Sequence, residues 1–283
     1  MKALLNLLAD LGSQLKRPGG RLRRLLCVLR YWALYERGRL RGQGRGESRL
    51  AALAALARSG EVSATVVMGL GGGLRAELDV FSAAFLAKEI LDDETYGRPG
   101  FVPQEGWVVV DVGAHQGLFT LEAARRVGPR GRVLSFEPFA FNRDILARNV
   151  AANSLAWVEV VGLAASDARG SRELYVSPYN TGWQSLVFKD GDERVATRIE
   201  TDTLDHALDE RGAGRVDLLK VDVEGAWRLV FAGAPRLLAR RPRIIMEVEG
   251  DDAEVEQARE RLMGLGYGVE RGGSVLFAAP DTA

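Results

Sequence analysis

The sequence WVVVDVGAHQG, residues 107–117, joins an apolar run to an acid and two glycines. Its valines predict a buried β-strand that ends at Asp111, Gly113 and Gly117 predict a turn, and the residues from Leu118 onward predict a helix. Open α/β sheets bind nucleotide-like ligands at the carboxyl ends of their strands, beside such a glycine turn. Because glycine has no Cβ, we expect both glycines to let the backbone approach the ligand closely.

Strands and helices alternate after this stretch. Apolar runs and helical periodicity predict strands at 132–136, 157–161, 217–221 and 243–248, and helices at 117–127, 141–153, 203–210, 226–239 and 253–265. Two short segments joined by a glycine-rich turn, 267–269 and 274–278, predict a terminal antiparallel hairpin. The sequence therefore predicts an α/β, Rossmann-like, doubly wound sheet with one reversed edge strand.

The predicted sheet domain occupies residues 107–283. Before it, residues 1–60 predict a basic helical arm, and residues 61–106 predict a small lead-in. This lead-in combines a hairpin around three consecutive glycines with a helix at 81–91. Inside the domain, extra strands form a β insertion at 172–202, and they are predicted at 173–176, 186–188 and 197–201.

The basic arm has three interpretations. Asp10, Glu36 and Glu47 are its acids, and because the formal net charge of the whole chain is zero, the remainder is acidic. The arm is a helical lid or homodimer contact, an attachment of residues 1–46 to an anionic membrane surface or lipid-like substrate, or a nucleic-acid contact. The zero net charge gives no nucleic-acid footprint for the chain as a whole, so we expect no nucleic-acid partner.

Composition excludes several classes of protein. With Cys27 as its single cysteine and only two histidines, the chain has no intrachain disulfide and no zinc site of the usual Cys/His kind. No apolar run approaches the roughly 20 residues that span a bilayer. The N-terminal stretch lacks the pattern of a secretory signal. We therefore expect a cytoplasmic protein.

The glycine turn predicts S-adenosylmethionine rather than a dinucleotide. A dinucleotide fold carries G-x-G-x-x-G, whereas residues 111–117 spell D-x-G-x-x-x-G. An acid on this strand suits a ligand that has a positive group and no phosphates. Glu137, at the end of the second strand, is placed to accept both ribose hydroxyls. The third strand is predicted to end near Ser166 and Asp167, at the adenine edge. The structural alternatives are a helix-dipole role for Glu137 and a plain turn role for Asp167.

Four segments resemble the FkbM-type S-adenosylmethionine-dependent methyltransferases: DVGAHQGLFTLEAARRVGPRGRVLSFEP, NRDILARNVAANSL, TLDHAL and DLLKVDVEGA. The resemblance covers residues 108–249 and weakens toward residue 70. It implies a class I Rossmann-like fold and O-methylation of hydroxyls on sugars, polyketides and other secondary metabolites. It also implies cofactor contacts by Asp111, Gly113, Gly117 and Glu137. We expect neighbouring residues to join them, namely Ala114, His115, Gln116, Pro138, Phe139 and Asn142.

The acceptor side has weaker signals. Residues 180–186 resemble the family's N-S-S-L stretch, which lies toward the active site, so we expect Trp183 and Ser185 to contact the acceptor. Tyr96 precedes the sheet domain, where a segment can close over a ligand. Two residues depart from the family. His115 stands where Asn is more common, and Trp227 replaces a Glu that commonly follows DVEGA, which predicts a more aromatic acceptor pocket.

Methyl transfer from a sulfonium is an in-line displacement, so the enzyme must orient the acceptor and remove a proton from its hydroxyl. Asp222 and Glu224 follow the fourth strand at the carboxyl edge of the sheet, and either can act as general base. In a second hypothesis they hold a divalent metal together with Glu247, which is also a candidate for the acceptor site. In a third they only cap a helix. Lys220 orients the acceptor or pairs with these acids, because a buried lysine needs a partner.

These observations predict an S-adenosylmethionine-dependent O-methyltransferase that acts on a small hydroxylated natural product or sugar. One alternative is N-methylation of a small amine. Another is a cofactor-binding scaffold without catalysis, although Asp222, Glu224 and Glu247 lie at the edge where a catalytic group is needed. His206 falls in a predicted helix far from the glycine turn, so we expect it on the surface.

Overall fold

The structure is a computed structural model that describes residues 65–70, 72–79, 97–176, 184–186 and 195–281. Several predictions lie outside these residues: the helical arm at 1–60, the helix at 81–91, and the acceptor contacts of Tyr96 and Trp183. Within the described ranges, no helix has both the length and the hydropathy that a membrane span requires.

Strands and helices alternate as the sequence predicts. The strands are β1 (Thr65–Gly69), β2 (Arg75–Asp79), β3 (Val108–Val112), β4 (Arg132–Phe136), β5 (Val158–Val161), β6 (Ala164–Ala165), β7 (Gly170–Val176), β8 (Gln184–Ser185), β9 (Val195–Asp202), β10 (Leu218–Val221), β11 (Arg243–Glu247), β12 (Tyr267–Gly272) and β13 (Val275–Pro280). The helices are α1 (Leu118–Val127), α2 (Ala140–Ala152), α3 (Leu204–Glu210), α4 (Trp227–Ala232), α5 (Pro235–Ala239) and α6 (Asp252–Gly264).

The helix predicted at 226–239 is two helices instead. α4 ends at Ala232, and α5 begins at Pro235 after Gly233 and Ala234. Proline lacks a backbone N–H, so it ends a helix that precedes it but suits the first turn of the next one. Asp205 of α3 fixes the start of α5, because its carboxylate accepts hydrogen bonds from the backbone N–H groups of Arg236 and Leu237 at 2.7 and 2.9 Å.

The central sheet has seven strands in the order β12-β13-β11-β10-β3-β4-β5. Five neighbouring strands are parallel to one another: β11, β10, β3, β4 and β5. Strand β13 runs antiparallel to both β11 and β12. The predicted doubly wound sheet with a terminal hairpin is therefore confirmed. The predicted position of the reversed strand was wrong, because β13 lies one strand inside the edge. The chain crosses through α6 to the edge strand β12 and returns by a tight turn into the gap beside β11.

Both faces of the central sheet are buried, as parallel sheets require. Val110 and Leu219 face a core that also takes side chains from α3, α4, α5 and α6. Val109 and Leu218 face the opposite core, which α1 and strand β2 cover. Because successive side chains of a strand alternate between faces, Asp111 and Lys220 lie on the second of these faces. That placement puts two charged groups under α1.

A second, four-stranded sheet has the order β6-β9-β7-β8. It corresponds to the predicted β insertion but begins earlier, at Ala164, and has its own small core around Leu174 and Ile199. This sheet corrects one boundary. The third strand of the central sheet ends at Val161, and Ser166 follows β6 of the second sheet instead.

The lead-in hairpin is confirmed by the pairing of β1 with β2. The two strands are antiparallel, with Thr65 opposite Asp79 and Gly69 opposite Arg75. Leu74, Ala76 and Leu78 are buried in the core beneath α1. The hairpin is thereby attached to the same face of the central sheet that carries Asp111.

Candidate cofactor and active site

The predicted site residues gather at one edge of the central sheet. Strands β3, β4, β10 and β11 are parallel neighbours, so their carboxyl ends meet there. This arrangement brings together the turn at 111–117, Glu137, the segment 222–225 and Glu247. The sequence order of these motifs therefore reflects a single location in the fold.

Asp111 and Lys220 form a buried ion pair across two strands. They are register partners on β3 and β10, and the Lys220 Nζ lies 3.3 Å from the Asp111 Oδ1. Asp111 has no exposed surface, and its Oδ2 accepts a 2.6 Å hydrogen bond from the Thr120 hydroxyl, which in turn contacts the Ser135 hydroxyl. Asp111 thus contacts protein rather than an open cleft. Its predicted cofactor contact stays a prediction, and the structure gives it a second role, the neutralisation of Lys220.

Lys220 is a fixed positive charge. Burial alone would lower the pKa of this ammonium, but Asp111, Asp222 and Glu247 outweigh burial and raise the pKa above its ordinary value. The Nζ lies 3.2 Å from the Asp222 Oδ2, 3.3 Å from the Gly113 carbonyl oxygen and 5.6 Å from the centre of the Phe119 ring. The partner that the sequence required is present, and a group held in its charged form cannot serve as a proton acceptor.

Asp222 is the acid of this cluster that reaches the surface. Its side chain is 28% exposed, whereas Lys220 and Asp111 are almost wholly enclosed. Its backbone N–H donates to the Val112 carbonyl at 3.0 Å, which continues the sheet pairing beyond β10. The N-cap residue of α4 is Ala226, which has no side-chain cap, so neither Asp222 nor Glu224 is the N-cap itself. The wider capping role of the two acids stays a prediction.

Glu224 sits in a strained turn that Ser185 supports. Its φ of 51° is left-handed, which is uncommon for a residue other than glycine, asparagine or aspartate. The Ser185 hydroxyl donates a 2.6 Å hydrogen bond to the Glu224 carbonyl oxygen. Only 1% of Ser185 is exposed. Ser185 therefore supports the acidic turn from the second sheet, and its predicted contact with the acceptor would need an opening of the site.

The predicted metal set is not assembled. Among the residues that the structure describes, no group of three or more His, Cys, Asp or Glu side chains is placed to hold a metal ion. A physical reason is Lys220, whose ammonium lies 3.2 Å from the Asp222 Oδ2 and interacts electrostatically with Glu247. A second cation beside this buried charge would be repelled.

Glu137 is a buried carboxylate held by backbone amides. Its Oε2 accepts from the His115 N–H and its Oε1 from the Phe139 N–H, both at 2.9 Å. Burial raises the pKa of Glu137 to about 7, with a smaller rise from Asp111, against the lowering effect of the two amides and Arg143. Each oxygen keeps a second lone pair. The predicted acceptance of ribose hydroxyls is compatible with this geometry and remains a prediction.

The two glycines of the turn are required by close contacts with other parts of the protein. This corrects the interpretation that they serve close approach to a ligand. A Cβ on Gly113 would lie 1.7 Å from the Asp222 carbonyl oxygen, and one on Gly117 would lie 2.4 Å from Leu146 Cδ1. Both residues also have left-handed φ angles, 80° and 94°. The missing side chains let the turn press against the neighbouring loop and helix α2. Close approach to a ligand is therefore not needed to explain these glycines.

Gln116 and Asn142 are also placed differently from the prediction. Both are fully buried, and the Gln116 amide nitrogen donates to the Asn142 Oδ1 at 3.1 Å and to the Asp79 carboxylate. The Gln116 Oε1 accepts from the Asp79 N–H at 2.9 Å. These contacts join the turn to the hairpin instead of directing the amides into the cleft. Asn149 and Asn153 extend the same cluster, which the sequence analysis missed. Two asparagines of α2, with Asn153 at its C-cap, lie at helical spacing and were the signal that would have found it.

The other predicted cofactor contacts are two residues of the turn and two residues that follow Glu137. The Ala114 N–H donates to the Phe136 carbonyl at 3.0 Å, and His115 adopts a left-handed φ of 51°. The Pro138 carbonyl accepts from Arg143 at 2.9 Å. Phe139 packs against the core of the second sheet. Their predicted cofactor contacts are compatible with a position beside Glu137.

The predicted adenine loop is anchored by its neighbours. The Ser166 hydroxyl donates to the Asp167 Oδ1 at 3.0 Å, and the same oxygen accepts from Arg172 at 2.7 Å. The Ser166 carbonyl oxygen would lie 1.9 Å from a Cβ on Gly233, so α4 approaches this loop closely. Asp167 keeps a partly exposed carboxylate, and its contact with adenine stays a prediction.

Trp227 is a core residue rather than part of an open acceptor pocket. It is 4% exposed, its ring packs edge-on against Phe231 at 5.7 Å, and its indole N–H donates to Glu254 at 3.2 Å. One edge of it borders a surface groove of about 570 Å³ between α4 and α6. The aromatic replacement after DVEGA is explained by helix packing. His206 is partly exposed and bonded to Asp202, as expected for a surface residue.

The edge has the chemistry that S-adenosylmethionine requires. The cofactor carries a carboxylate, and α1 begins at Leu118 after its N-cap residue Gly117, which has no side chain that could occupy the helix N-terminus. It also carries ribose hydroxyls, and Glu137 offers carboxylate oxygens beside the same turn. The residues present therefore fit the group.

Comparison with known proteins identifies the family. Residues 111–269 match the model of the methyltransferase FkbM domain. The chain is 30% identical to the 31-O-demethyl-FK506 methyltransferase FkbM of Streptomyces tacrolimicus over 243 residues, which cover 74% of this chain and 91% of that protein. It is 32% identical to the AMB antimetabolite synthetase AmbE of Pseudomonas aeruginosa over 209 residues, 61% of this chain but only 10% of that much longer protein.

Among solved structures, the methyltransferase FkbM of Methylobacillus flagellatus matches with a TM-score of 0.42 and 16% identity, over 86% of this chain and 69% of that one. The matched segment of the chain contains the turn, the two acidic strand ends and the DVEG loop that the geometry brings together. The sheet order, with β13 between β11 and β12, completes the predicted class I methyltransferase fold. The chain belongs to the FkbM family of S-adenosylmethionine-dependent methyltransferases.

Proposed function

We propose that this methyltransferase transfers the methyl group to a hydroxyl of a small natural product or sugar, with Asp222 as the proton acceptor. The observation that carries the proposal is the position of the Asp222 carboxylate. It is partly exposed, it lies 3.2 Å from the fixed charge of Lys220, and its backbone contacts the cofactor turn at Gly113. An acid at that point is close to where a methyl donor would be held.

The chemistry needs few protein groups. S-adenosylmethionine supplies a methyl group that is already activated by its sulfonium. The protein's task is to align a hydroxyl oxygen with that methyl carbon and to accept the hydroxyl proton. Asp222 can accept it, and the Lys220 ammonium, 3.2 Å away, orients the carboxylate without competing for the proton. Asp111 balances the lysine charge from the buried side.

The cofactor would be held by three groups. The N-terminus of α1 would bind its carboxylate, Glu137 would accept its ribose hydroxyls, and Ser166 and Asp167 would meet its adenine. Glu224 is the second candidate for the base. Its left-handed backbone and the hydrogen bond from Ser185 fix the direction of its turn.

The relatives support the class of acceptor. The Streptomyces tacrolimicus protein is named for O-methylation of a demethylated FK506 molecule, and AmbE is named for synthesis of an antimetabolite. We extend the O-methyl reaction to this chain and expect a small hydroxylated acceptor. Glu247 borders the same charged cluster, which supports a place for it near the acceptor.

The test is an acceptor screen that follows formation of S-adenosylhomocysteine, with hydroxylated and amine compounds in parallel. We expect turnover with alcohols, and Asp222→Asn should lower kcat by about 10²–10⁴-fold. Glu224→Gln is tested beside it, and the control is Asp209→Asn, which removes only a surface ion pair with Arg236. Full turnover in both Asp222→Asn and Glu224→Gln would contradict the assignment of the base.

Other outcomes separate the alternatives. Products methylated only on nitrogen would support the N-methyltransferase, and tight cofactor binding without turnover on any acceptor would support the scaffold. Because the metal set is not assembled, EDTA should leave activity unchanged. A loss of activity restored by a divalent cation would overturn that expectation.

The arm at residues 1–60 is a separate question. We propose that it packs on the domain or forms a homodimer contact, with peripheral attachment to an anionic membrane as the second candidate. Sedimentation with anionic liposomes, with and without residues 1–46, distinguishes them. Equal partitioning of the two proteins would exclude the membrane role.

A further inference from the structure

The edge of strand β2 that faces away from β1 is bound by side-chain amides. The Asn153 Oδ1 accepts from the Arg75 N–H at 2.8 Å, and its Nδ2 donates to the Arg75 carbonyl at 2.6 Å. Asn149 does the same with Glu77, at 2.6 and 2.8 Å. Each amide thus satisfies both backbone groups of one residue, as a neighbouring strand would. The edge of the hairpin is attached to α2 in this way.

Gln116 binds the next position of the same edge, but it comes from the cofactor turn instead of α2. Its side chain accepts from the Asp79 N–H and donates to the Asp79 carboxylate and to Asn142. The backbone carbonyl oxygen of Gln116 accepts from the Asn149 side-chain amide at 2.9 Å. We call Gln116, Asn142 and Asn149 the amide clamp. Four of its bonds therefore end on Gln116 of the turn, and the hairpin and the turn share one buried network.

The turn is unusually dependent on such support. Gln116 lies between two left-handed residues, His115 at φ 51° and Gly117 at φ 94°. A left-handed histidine is unfavourable and persists only where the surroundings hold it. Glu137 holds the His115 N–H from the cofactor side, and the clamp holds Gln116 from the hairpin side. A change in the position of Gln116 would therefore shift the amide that Glu137 binds.

We propose that the hairpin of residues 65–79 is a positioning element of the S-adenosylmethionine site and acts through Gln116. Docking of the hairpin fixes the turn in the conformation that binds the cofactor. By linkage, binding of the cofactor stabilises the docked hairpin by the same factor. The inference concerns cofactor binding alone and requires no acceptor, so its failure is distinguishable from a failure of the proposed O-methylation.

The first experiment measures the dissociation constant of S-adenosylhomocysteine for the full chain by calorimetry. Gln116→Ala should weaken binding about tenfold, within the usual range of coupling between sites. The matched control is Asn153→Ala, which removes an equivalent amide from the far end of the same strand and should leave the constant within about twofold. Equal weakening in both variants would show that the effect does not pass through Gln116, and no weakening in either would show that the hairpin does not influence the site. Both results overturn the proposal.

The second experiment uses the unaltered chain and so does not depend on folding of a variant. Hydrogen exchange of the Asp79 N–H, which Gln116 binds, should slow about tenfold when S-adenosylhomocysteine saturates the site, in agreement with the loss of affinity in Gln116→Ala. An unchanged rate of hydrogen exchange would overturn the proposal.

A third experiment swaps the amide and the acid between positions 116 and 79 and tests for rescue. Gln116→Glu alone places two carboxylates together and should weaken cofactor binding, and Asp79→Asn in the same chain should restore most of it.

Discussion

Two clusters of opposite chemistry hold the turn at residues 111–117 from its two sides. On the sheet side, Lys220, Asp111 and Asp222 are charged and lie at the ends of neighbouring strands. On the hairpin side, the amide clamp is neutral and binds backbone groups of β2. A buried charge that loses its partner is far more costly than a neutral group that does so. Loss of a partner should therefore destabilise the protein more in the charged cluster than in the amide clamp.

The largest effect should come from the charged cluster. Lys220→Met leaves the carboxylate of Asp111 buried without its cation and should lower the free energy of unfolding by about 3–5 kcal/mol. Urea denaturation measures it. Adding Asp111→Asn removes the uncompensated charge and should recover much of the loss. A single variant within about 1 kcal/mol of the unaltered protein would contradict a buried ion pair.

The second prediction concerns the pH dependence that the buried carboxylate of Glu137 gives to the stability of the protein. Its pKa rises from an ordinary 4.5 to about 7 on folding, so the folded state binds its proton more tightly. The ionised form is therefore disfavoured by burial, and this contribution lowers stability as pH rises from about 4.5 to 7, by about 3 kcal/mol. Glu137→Gln lacks that dependence. Denaturation at pH 5 and pH 8 should show a larger fall for the unaltered protein, and parallel curves would contradict the raised pKa.

Gly113 connects the turn to the charged cluster. In Gly113→Ala, the alanine would have a left-handed φ and its Cβ would have to displace the Asp222 carbonyl. The substitution should therefore lower the free energy of unfolding by about 2–4 kcal/mol. Gly106→Ala is the control, because Gly106 has the same φ of 80° with nothing within 4 Å of its Cβ position. Gly106→Ala should cost about 1–2 kcal/mol. Equal losses of unfolding free energy in the two variants would mean that the Asp222 carbonyl can move away at no energetic cost.

The smallest effect should come from the amide clamp. Asn149→Ala leaves the N–H and carbonyl of Glu77 without their side-chain partner and should cost about 1–3 kcal/mol. The matched variant Asn149→Asp keeps an acceptor for the N–H but loses both donated bonds, so it should recover only part of the loss. Denaturation monitored with hydrogen exchange of residues 75–79 measures both. A loss as large as that of Lys220→Met would remove the contrast between the two clusters.

The sequence predicted the elements whose pattern is local. The alternation of apolar strands and amphipathic helices located the central sheet, because each strand buries both faces and each helix one. The acid and glycines of residues 111–117 identified the sheet edge at which Glu137 and residues 222–225 also lie, because strand ends of a parallel sheet meet on one side. The position of β13 was missed, because the choice between an edge and an inner place depends on the crossing of α6 and not on the strand itself.

The roles of single site residues were harder to predict. Gly113, Gln116 and Trp227 were assigned to ligands, but each contacts a part of the protein that is distant in sequence: a loop, a hairpin and a helix. A one-dimensional pattern identifies the type of group that a turn needs. It does not identify which neighbour, protein or ligand, that group meets. Lys220 was predicted better because a buried charge requires an opposite charge nearby.

The inner position of β13 has a consequence for synthesis of the chain. β13 is the last strand of the central sheet in chain order, yet it supplies the hydrogen-bonding partner of β11 on one side and of β12 on the other. Until residues 275–280 leave the ribosome, β11 has an open edge that can pair with other strands, and β12 has no place in the sheet. Every earlier element can form during translation, but completion of the sheet must wait for this final insertion. Nascent chains stalled before residue 275 should therefore be the species that chaperones bind.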